Sequence, residues 1–207
     1  MTAFKHGPKP VVGLIGAIGA GKSTAARCLA ARGAQVIDAD ALGHEALRQP
    51  DIIAQLVAMW GERVRKPDGA LDRKEIGRIV FADPAQRNAL EAAVFPYIGE
   101  RTHDAIASAQ ANPDVTFVVL DAAVLLEAGW GEMVDKMVYV NAPRAVRVAR
   151  LATRSGWTES ELAAREAAQL PAEQKKARAD AILTNDAGPD VLQDRVDTLL
   201  SRWQLVP

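Results

Sequence analysis

Four short apolar runs, 11–15, 34–37, 116–120 and 137–140, are separated by stretches in which apolar residues recur at helical spacing. Runs of four or five apolar residues between polar punctuation read as strands buried on both faces. The first, Val11-Val12-Gly13-Leu14-Ile15, feeds a glycine-rich loop and then a helix from Ser23 to Arg32, stopped by Gly33. Ala34-Gln35-Val36-Ile37 follows and delivers Asp38 and Asp40 at its carboxyl end. Strand, loop, helix, strand is the opening of a parallel α/β sheet, and ligands of such sheets bind beyond the carboxyl ends of the strands. Both aspartates are therefore expected at that site.

From 41 to 112 the pattern is helical. Pro50-Asp51 starts a helix bearing Ile52, Ile53, Leu56, Val57 and Trp60, and Gly61 ends it; Asp68-Gly69 is a turn. Asp72 with Glu75 has the form of a capping box, and Asp83-Pro84 that of a cap with proline at the first helical position. Helices of this length between two sheet strands predict an inserted lobe, with ordinary crossover helices as the alternative. The run 116–120 closes on Asp121, a pattern suited to a carboxylate at a nucleotide site. After 137–140, a helix carries Arg144, Arg147, Arg150 and Arg154, spaced 3, 3 and 4 and so on one face. For Arg144 a solvated helix face is the preferred account. Thr158 and Glu161 predict a capped second helix, giving a basic hairpin around Ser155-Gly156-Trp157 that suits a lid closing over transferring phosphate.

The chemistry is concentrated in Gly16-Ala17-Ile18-Gly19-Ala20-Gly21-Lys22-Ser23, a complete G-x-x-x-x-G-K-S phosphate-binding loop between strand and helix. Glycines at 16, 19 and 21 let the backbone take positive φ and approach phosphate oxygens with no Cβ in the way, and the turn aims N–H groups and the positive helix end at the anion. Lys22 can reach the β- and γ-phosphates, and the Ser23 hydroxyl is placed to ligate Mg²⁺. The loop therefore implies a nucleoside triphosphate.

Composition narrows the class. The 207 residues carry a net charge of −1 with no basic block, which argues against nucleic-acid and anionic-membrane partners. The one cysteine, Cys28, excludes an internal disulfide and sits among Ala25, Ala26 and Leu29 as expected of core filler in a reducing compartment. No apolar run approaches membrane-spanning length and residues 1–10 lack the apolar core of a signal peptide, so a soluble cytoplasmic protein is expected. Nothing in the sequence indicates a protein partner.

Taken together, these motifs resemble the dephospho-coenzyme A kinase family over about 11–203. The loop is followed by Val36-Ile37-Asp38-Ala39-Asp40 and His44. Gly69-Ala70-Leu71-Asp72-Arg73 and Ile79-Val80-Phe81-Ala82-Asp83-Pro84 are similar to the family's substrate-lobe signature. Arg150-x-x-x-Arg154-x-Gly156 and Arg165-x-x-x-Gln169 match its lid, and Ala179-Asp180-Ala181-Ile182-Leu183-x-Asn185 its closing stretch. Three positions depart: Ala123 stands where the family usually has proline, Phe95 where many members have histidine, and Arg147 where glutamine is common.

The resemblance implies a P-loop-type parallel α/β sheet flanked by helices, with a helical substrate lobe and a helical lid. Its expected organisation is a flexible 1–10 and a single kinase domain over 11–207, with a core of about 11–45, 114–142 and 179–207, a lobe of about 46–113 and a lid of about 143–178. The implied reaction transfers phosphate from ATP, with Mg²⁺, to the ribose 3′-hydroxyl of dephospho-coenzyme A. Asp40 would orient the hydroxyl and accept its proton, with Asp38 structural; Lys22, Arg150 and Arg154 would neutralise the transferring group. Gly16, Gly19, Ala20, Gly21, Lys22, Ser23 and Thr24 would hold the phosphates, Asn185 would lie near adenine, and Ser23 with Asp121 would hold the metal, Glu127 being the next carboxylate considered. The competing readings are another small-molecule kinase, which would differ in the lobe, and a nucleotide switch. A switch often borrows its arginine from a partner, whereas this chain supplies its own.

Overall fold

A strand whose residues are apolar on both sides is stable only inside a sheet covered on both faces, and the strands Val11–Gly16, Phe117–Asp121 and Lys136–Asn141 are buried in that way. A computed structural model of the protein describes residues 4–205. The elements run β1 (Val11–Gly16), α1 (Lys22–Ala30), β2 (Ala34–Asp38), α2 (Ala39–Ala46), α3 (Pro50–Trp60), α4 (Arg73–Ala82), α5 (Pro84–Ala111), β3 (Phe117–Asp121) and β4 (Lys136–Asn141). Then come α6 (Arg144–Ser155), α7 (Glu159–Ala167), α8 (Ala172–Ala177), β5 (Ala181–Thr184) and α9 (Pro189–Arg202). All four strand pairings are parallel, in the order β2-β3-β1-β4-β5, as the α/β expectation requires. Strand order reverses direction around β1, so the loop leaving β1 opens at the switch point.

The period of two divides the core. Val12 and Leu14 of β1, Phe117 and Val119 of β3, and Val138 and Val140 of β4 share a buried cluster with Ala25, Cys28 and Leu29 of α1 and with Leu192, Val196 and Leu200 of α9. Cys28 is thus core filler, as its sequence neighbours predict. Val11, Ile15, Val118, Leu120 and Tyr139 point to the other face and are also buried. Gly13 lies on that face, where a side chain would press on Leu125 at 3.0 Å and Val134 at 3.2 Å. Arg32, just past α1, ties the α1 and α9 layer together through Asp197, Nη2 to Oδ2 at 2.7 Å.

The chain divides into two compact units: one up to Asp38 and again from Asp104 onward, the other Ala39–His103. The first holds the whole sheet. The second holds α2–α4 and most of α5, with the starts and stops that the sequence predicts. Gly61 closes α3 at φ +79°, and Asp83 accepts from the Ala85 amide at 2.8 Å as α5 opens on Pro84. The box at α4 is only half formed: Asp72 accepts from the Lys74 and Glu75 amides, but the Glu75 carboxylate turns to Arg78. An opposite charge one turn along competes with the long reach back to the cap. The flexible 1–10 falls partly outside the described residues; from Lys5 onward the segment is held by Asp135 and Gln110, which accept from the Lys5, Lys9 and Val11 amides at 2.8–2.9 Å. No described helix is long and apolar enough to cross a membrane.

Leu14 is fully buried at the centre of the sheet. Leu14→Ala should cost about 2–5 kcal/mol of unfolding free energy in a denaturant titration, from lost burial and the cavity left behind. At α4, the two amides on Asp72 hold its carboxyl below the usual range. A carboxyl whose pKa falls on folding stabilises above its unfolded pKa, and that stabilisation disappears as pH drops through the folded value. The melting-temperature gap between wild type and Asp72→Ala should therefore be widest near neutral pH and close in acid.

Candidate active site

The loop between β1 and α1 is shaped by what lies against it. Gly19 and Gly21, the residue before α1, take the expected positive φ of +79° and +88°, whereas Gly16 does not, because it still belongs to β1 and is glycine for want of space. A side chain at Gly21 would collide with the Asn185 amide, and one at Gly16 would meet the Val140 carbonyl oxygen at 2.6 Å. Asn185 follows β5 and is buried; its Nδ2 donates to the Ala20 carbonyl at 2.8 Å and its backbone amide to Asn141 at 2.7 Å. Arg150, from α6, donates to the Asn185 carbonyl at 3.0 Å and reaches the Ala20 carbonyl at 3.4 Å. The Ala20 carbonyl is thus held by two residues more than a hundred positions away in sequence.

Beside this contact lies a cavity of about 610 Å³, lined by Gly19, Gly21, Thr24, Arg150, Arg154 and Asn185 among others. Its size is that of a small-molecule site. Arg154 is exposed in the last turn of α6, whereas Arg150 is partly buried and engaged with backbone carbonyls. Thr24 lies at the cavity and accepts from Arg27 at 3.2 Å.

At the carboxyl edge, Lys22 donates to the Asp121 carboxylate, with 16% of the lysine side chain and 9% of the aspartate exposed. Asp121 ends β3 in register with Leu14 of β1 and with Asp38 of β2. Two strands therefore present Asp121 and Asp38 side by side at their carboxyl ends, Lys22 meets Asp121 from the start of α1, and Ser23 sits exposed in the first turn of that helix. Asp40 is the second residue of α2, two positions past β2 and exposed, and it belongs to the other compact unit. Within that unit His44 Nε2 lies 2.6 Å from the Arg73 guanidinium, and Glu45 accepts from Tyr97 and pairs with Arg101.

Glu127, the further carboxylate considered for the metal, is engaged by protein donors. Its carboxylate accepts from the Leu170 amide at 3.0 Å and pairs with Lys175 at 2.8 Å. Lys175, 2% exposed, also donates to the Ala123 carbonyl and to Gln169, both at 3.1 Å. A lysine so buried must satisfy its charge and its donors locally, and it does so by fastening α8 to the loop after β3. Nothing in the sequence marks it, because the pattern Lys175-Lys176 reads as a solvated helix end.

The hairpin α6–α7 has the predicted turn at Gly156 and the predicted capping box of Thr158 with Glu161. Its arginine stripe is only partly solvated. Arg144 bridges to Glu159 and Glu166, each at 2.9 Å, and Arg147 is buried against Glu166. These pairings lift the Arg144 pKa, first through Glu159 and then Glu166. Burial works against ionised Glu166, but the two guanidinia outweigh it and hold its carboxyl below the usual range. At the tip, Arg165 stacks on the Trp157 ring at 3.9 Å from the centroid.

The family model of the dephospho-CoA kinases matches residues 10–190. A protein of Anaeromyxobacter dehalogenans named dephospho-CoA kinase is 43% identical over 194 residues, 92% of this chain and 90% of that protein. Another of that name, from Thermobifida fusca, is 41% identical over 186 residues, covering 89% and 92%. A crystal structure from Thermus thermophilus aligns with a TM-score of 0.79 at 34% identity, over 94% of this chain and 97% of that one. With the match spanning the phosphate loop, the β3 carboxylate, the α6–α7 hairpin and β5, the chain belongs to the dephospho-CoA kinase family.

Proposed function

We propose that this chain phosphorylates the ribose 3′-hydroxyl of dephospho-coenzyme A from ATP, releasing ADP and coenzyme A in the last step of coenzyme A biosynthesis. One observation carries the reading: a complete phosphate loop at the switch point of the sheet, with Lys22 and Asp121 at its mouth, in a chain of this family. ATP would place its phosphates on the amides of Gly16–Thr24 and its adenine in the cavity at Asn185 and Arg154.

Phosphoryl transfer asks a protein chiefly for alignment and charge neutralisation. Lys22 would exchange its Asp121 contact for the β- and γ-phosphates, a shift that a flexible side chain makes by rotamer change alone. Arg154, exposed at the cavity, is suited to follow the transferring group. Arg150 would act from its fixed position, its charge offsetting phosphate while its donors hold the loop. The hairpin α6–α7 serves as the lid and the helices of the second unit as the acceptor lobe. Asp40, two residues past the carboxyl end of β2, would orient the 3′-hydroxyl and take its proton.

Magnesium fits the donor set. The Ser23 hydroxyl and the Asp121 carboxylate are hard oxygen ligands, and Mg²⁺ is characteristically held by one or two such groups plus substrate phosphates. Among the described residues no cluster of three or more His, Cys, Asp or Glu forms a dedicated cage. When bound, the ion would neutralise charge on the β- and γ-phosphates.

The deciding experiment measures ADP release from MgATP with and without dephospho-coenzyme A, with the product mass determined. Acceptor-dependent ADP and a gain of one phosphate are expected; ATP binding with no response to this acceptor would exclude the proposed substrate. Asp40→Asn should then lower turnover by about 10²–10⁴, the usual contribution of a general base, with MgATP affinity nearly kept. Turnover equal to wild type would remove Asp40 from that role.

A further inference from the structure

A second cavity, of about 300 Å³, is bounded by Gly16, Ala17 and Ile18 of the phosphate loop and by Arg147, Glu166 and Lys175. Arg147 is 9% exposed, and its guanidinium serves three acceptors. Nε donates to the Ala142 carbonyl at 3.2 Å, and Nη1 donates to the Ile18 carbonyl at 3.2 Å and to the Glu166 carboxylate. The other Glu166 oxygen accepts from Arg144. The Arg147 backbone also meets the loop: a side chain at Gly19 would lie 3.2 Å from the Arg147 carbonyl and 2.9 Å from Leu151.

A partly buried ion pair is a poor source of stability, since desolvation offsets most of the attraction. What it supplies here is direction. The Ile18–Gly19 peptide is planar and trans, so anchoring its carbonyl on Arg147 turns the Gly19 N–H to the opposite side and fixes the plane of the peptide. We infer that Arg147 is a positioning residue for phosphoryl transfer, holding the Ile18–Gly19 peptide of the phosphate loop in register with α7 through Glu166. The inference rests on the proposal that this loop takes the nucleotide phosphates. Its consequence is that α7, which ends the lid hairpin, and the loop share one guanidinium, so the hairpin's position is felt at the Gly19 amide. A glutamine at this position has one amide group with two donors and no charge. It cannot serve both carbonyls and an ionised Glu166.

The test is steady-state kinetics, MgATP titration and thermal unfolding of wild type, Arg147→Gln, Glu166→Gln, the double variant and Arg144→Gln. Arg147→Gln should weaken MgATP binding and raise the KM for ATP by about tenfold, the effect of one lost charge-assisted hydrogen bond. The KM for dephospho-coenzyme A should stay within about twofold. Glu166→Gln, nearly isosteric, should move the same ATP constants by less, and it keeps the test open if Arg147→Gln fails to fold. The double variant should be no worse than Arg147→Gln, because both changes break one link. Arg144→Gln removes a partner of Glu166 but touches no loop carbonyl, and should leave both ATP constants unchanged.

Unchanged ATP constants in Arg147→Gln and Glu166→Gln, whatever happens to the melting temperature, would overturn the inference. So would an equal shift in Arg144→Gln, since the hairpin as a whole and not the Ile18 link would then be responsible. Wild type failing to bind MgATP would overturn the functional reading itself, and the inference with it; wild-type binding with unaltered variants would overturn the inference alone.

Discussion

The close approach of backbone to backbone around residues 16–21 is the constraint on which the rest depends. The Gly16 Cα lies so near the Val140 carbonyl that no side chain fits, and Gly21 leaves its α-face to the Asn185 amide. An anion cradle made of N–H groups needs this arrangement, since the amides converge only if nothing projects between them. The loop in turn needs a rigid floor. The floor is β1, central in the sheet and fully buried, with β3 and β4 hydrogen-bonded on either side.

Around that loop, charge is distributed by function as well as by sign. Lys22 and Asp121 face each other at the mouth, a pairing that can open because one partner is a flexible side chain. Arg150 and Asn185 grip the Ala20 carbonyl, and Arg147 grips the Ile18 carbonyl. Guanidinium suits this work: it is permanently charged, planar and rich in donors, so it can hold carbonyls and still bias the local potential toward anions. The loop is therefore preorganised by side chains that contribute no atoms to the nest itself.

Glu127 and Lys175 form a tie between segments distant in sequence. The carboxylate that follows β3 in sequence is directed to the segment leading out of the α6–α7 hairpin, where it receives Leu170 and Lys175. Ala123, where the family usually has proline, offers its backbone carbonyl to Lys175, an acceptor that a proline would carry equally. The return of the hairpin and the loop carrying Asp121 are thereby fastened at a common point.

The local signals in the chain were enough to determine four of the five described strands, most helix ends, the phosphate loop and the positive φ of Gly19, Gly21 and Gly33. Each depends on residues within a few positions: apolar runs, caps, and the absence of a Cβ where φ is positive. They also specified the all-parallel class, because strand–loop–helix–strand order admits few other solutions. What tertiary structure decided is which charges meet. The four arginines of α6 share one face by period, yet Arg144 bridges to α7, Arg147 is buried against the loop, Arg150 holds carbonyls and Arg154 remains at the cavity. Helical spacing records a side chain's direction around its own axis and says nothing of its depth along a packed groove. Depth is set by neighbours tens of residues away in the sequence, and it is depth that turns one guanidinium into a ligand-facing charge and another into a brace.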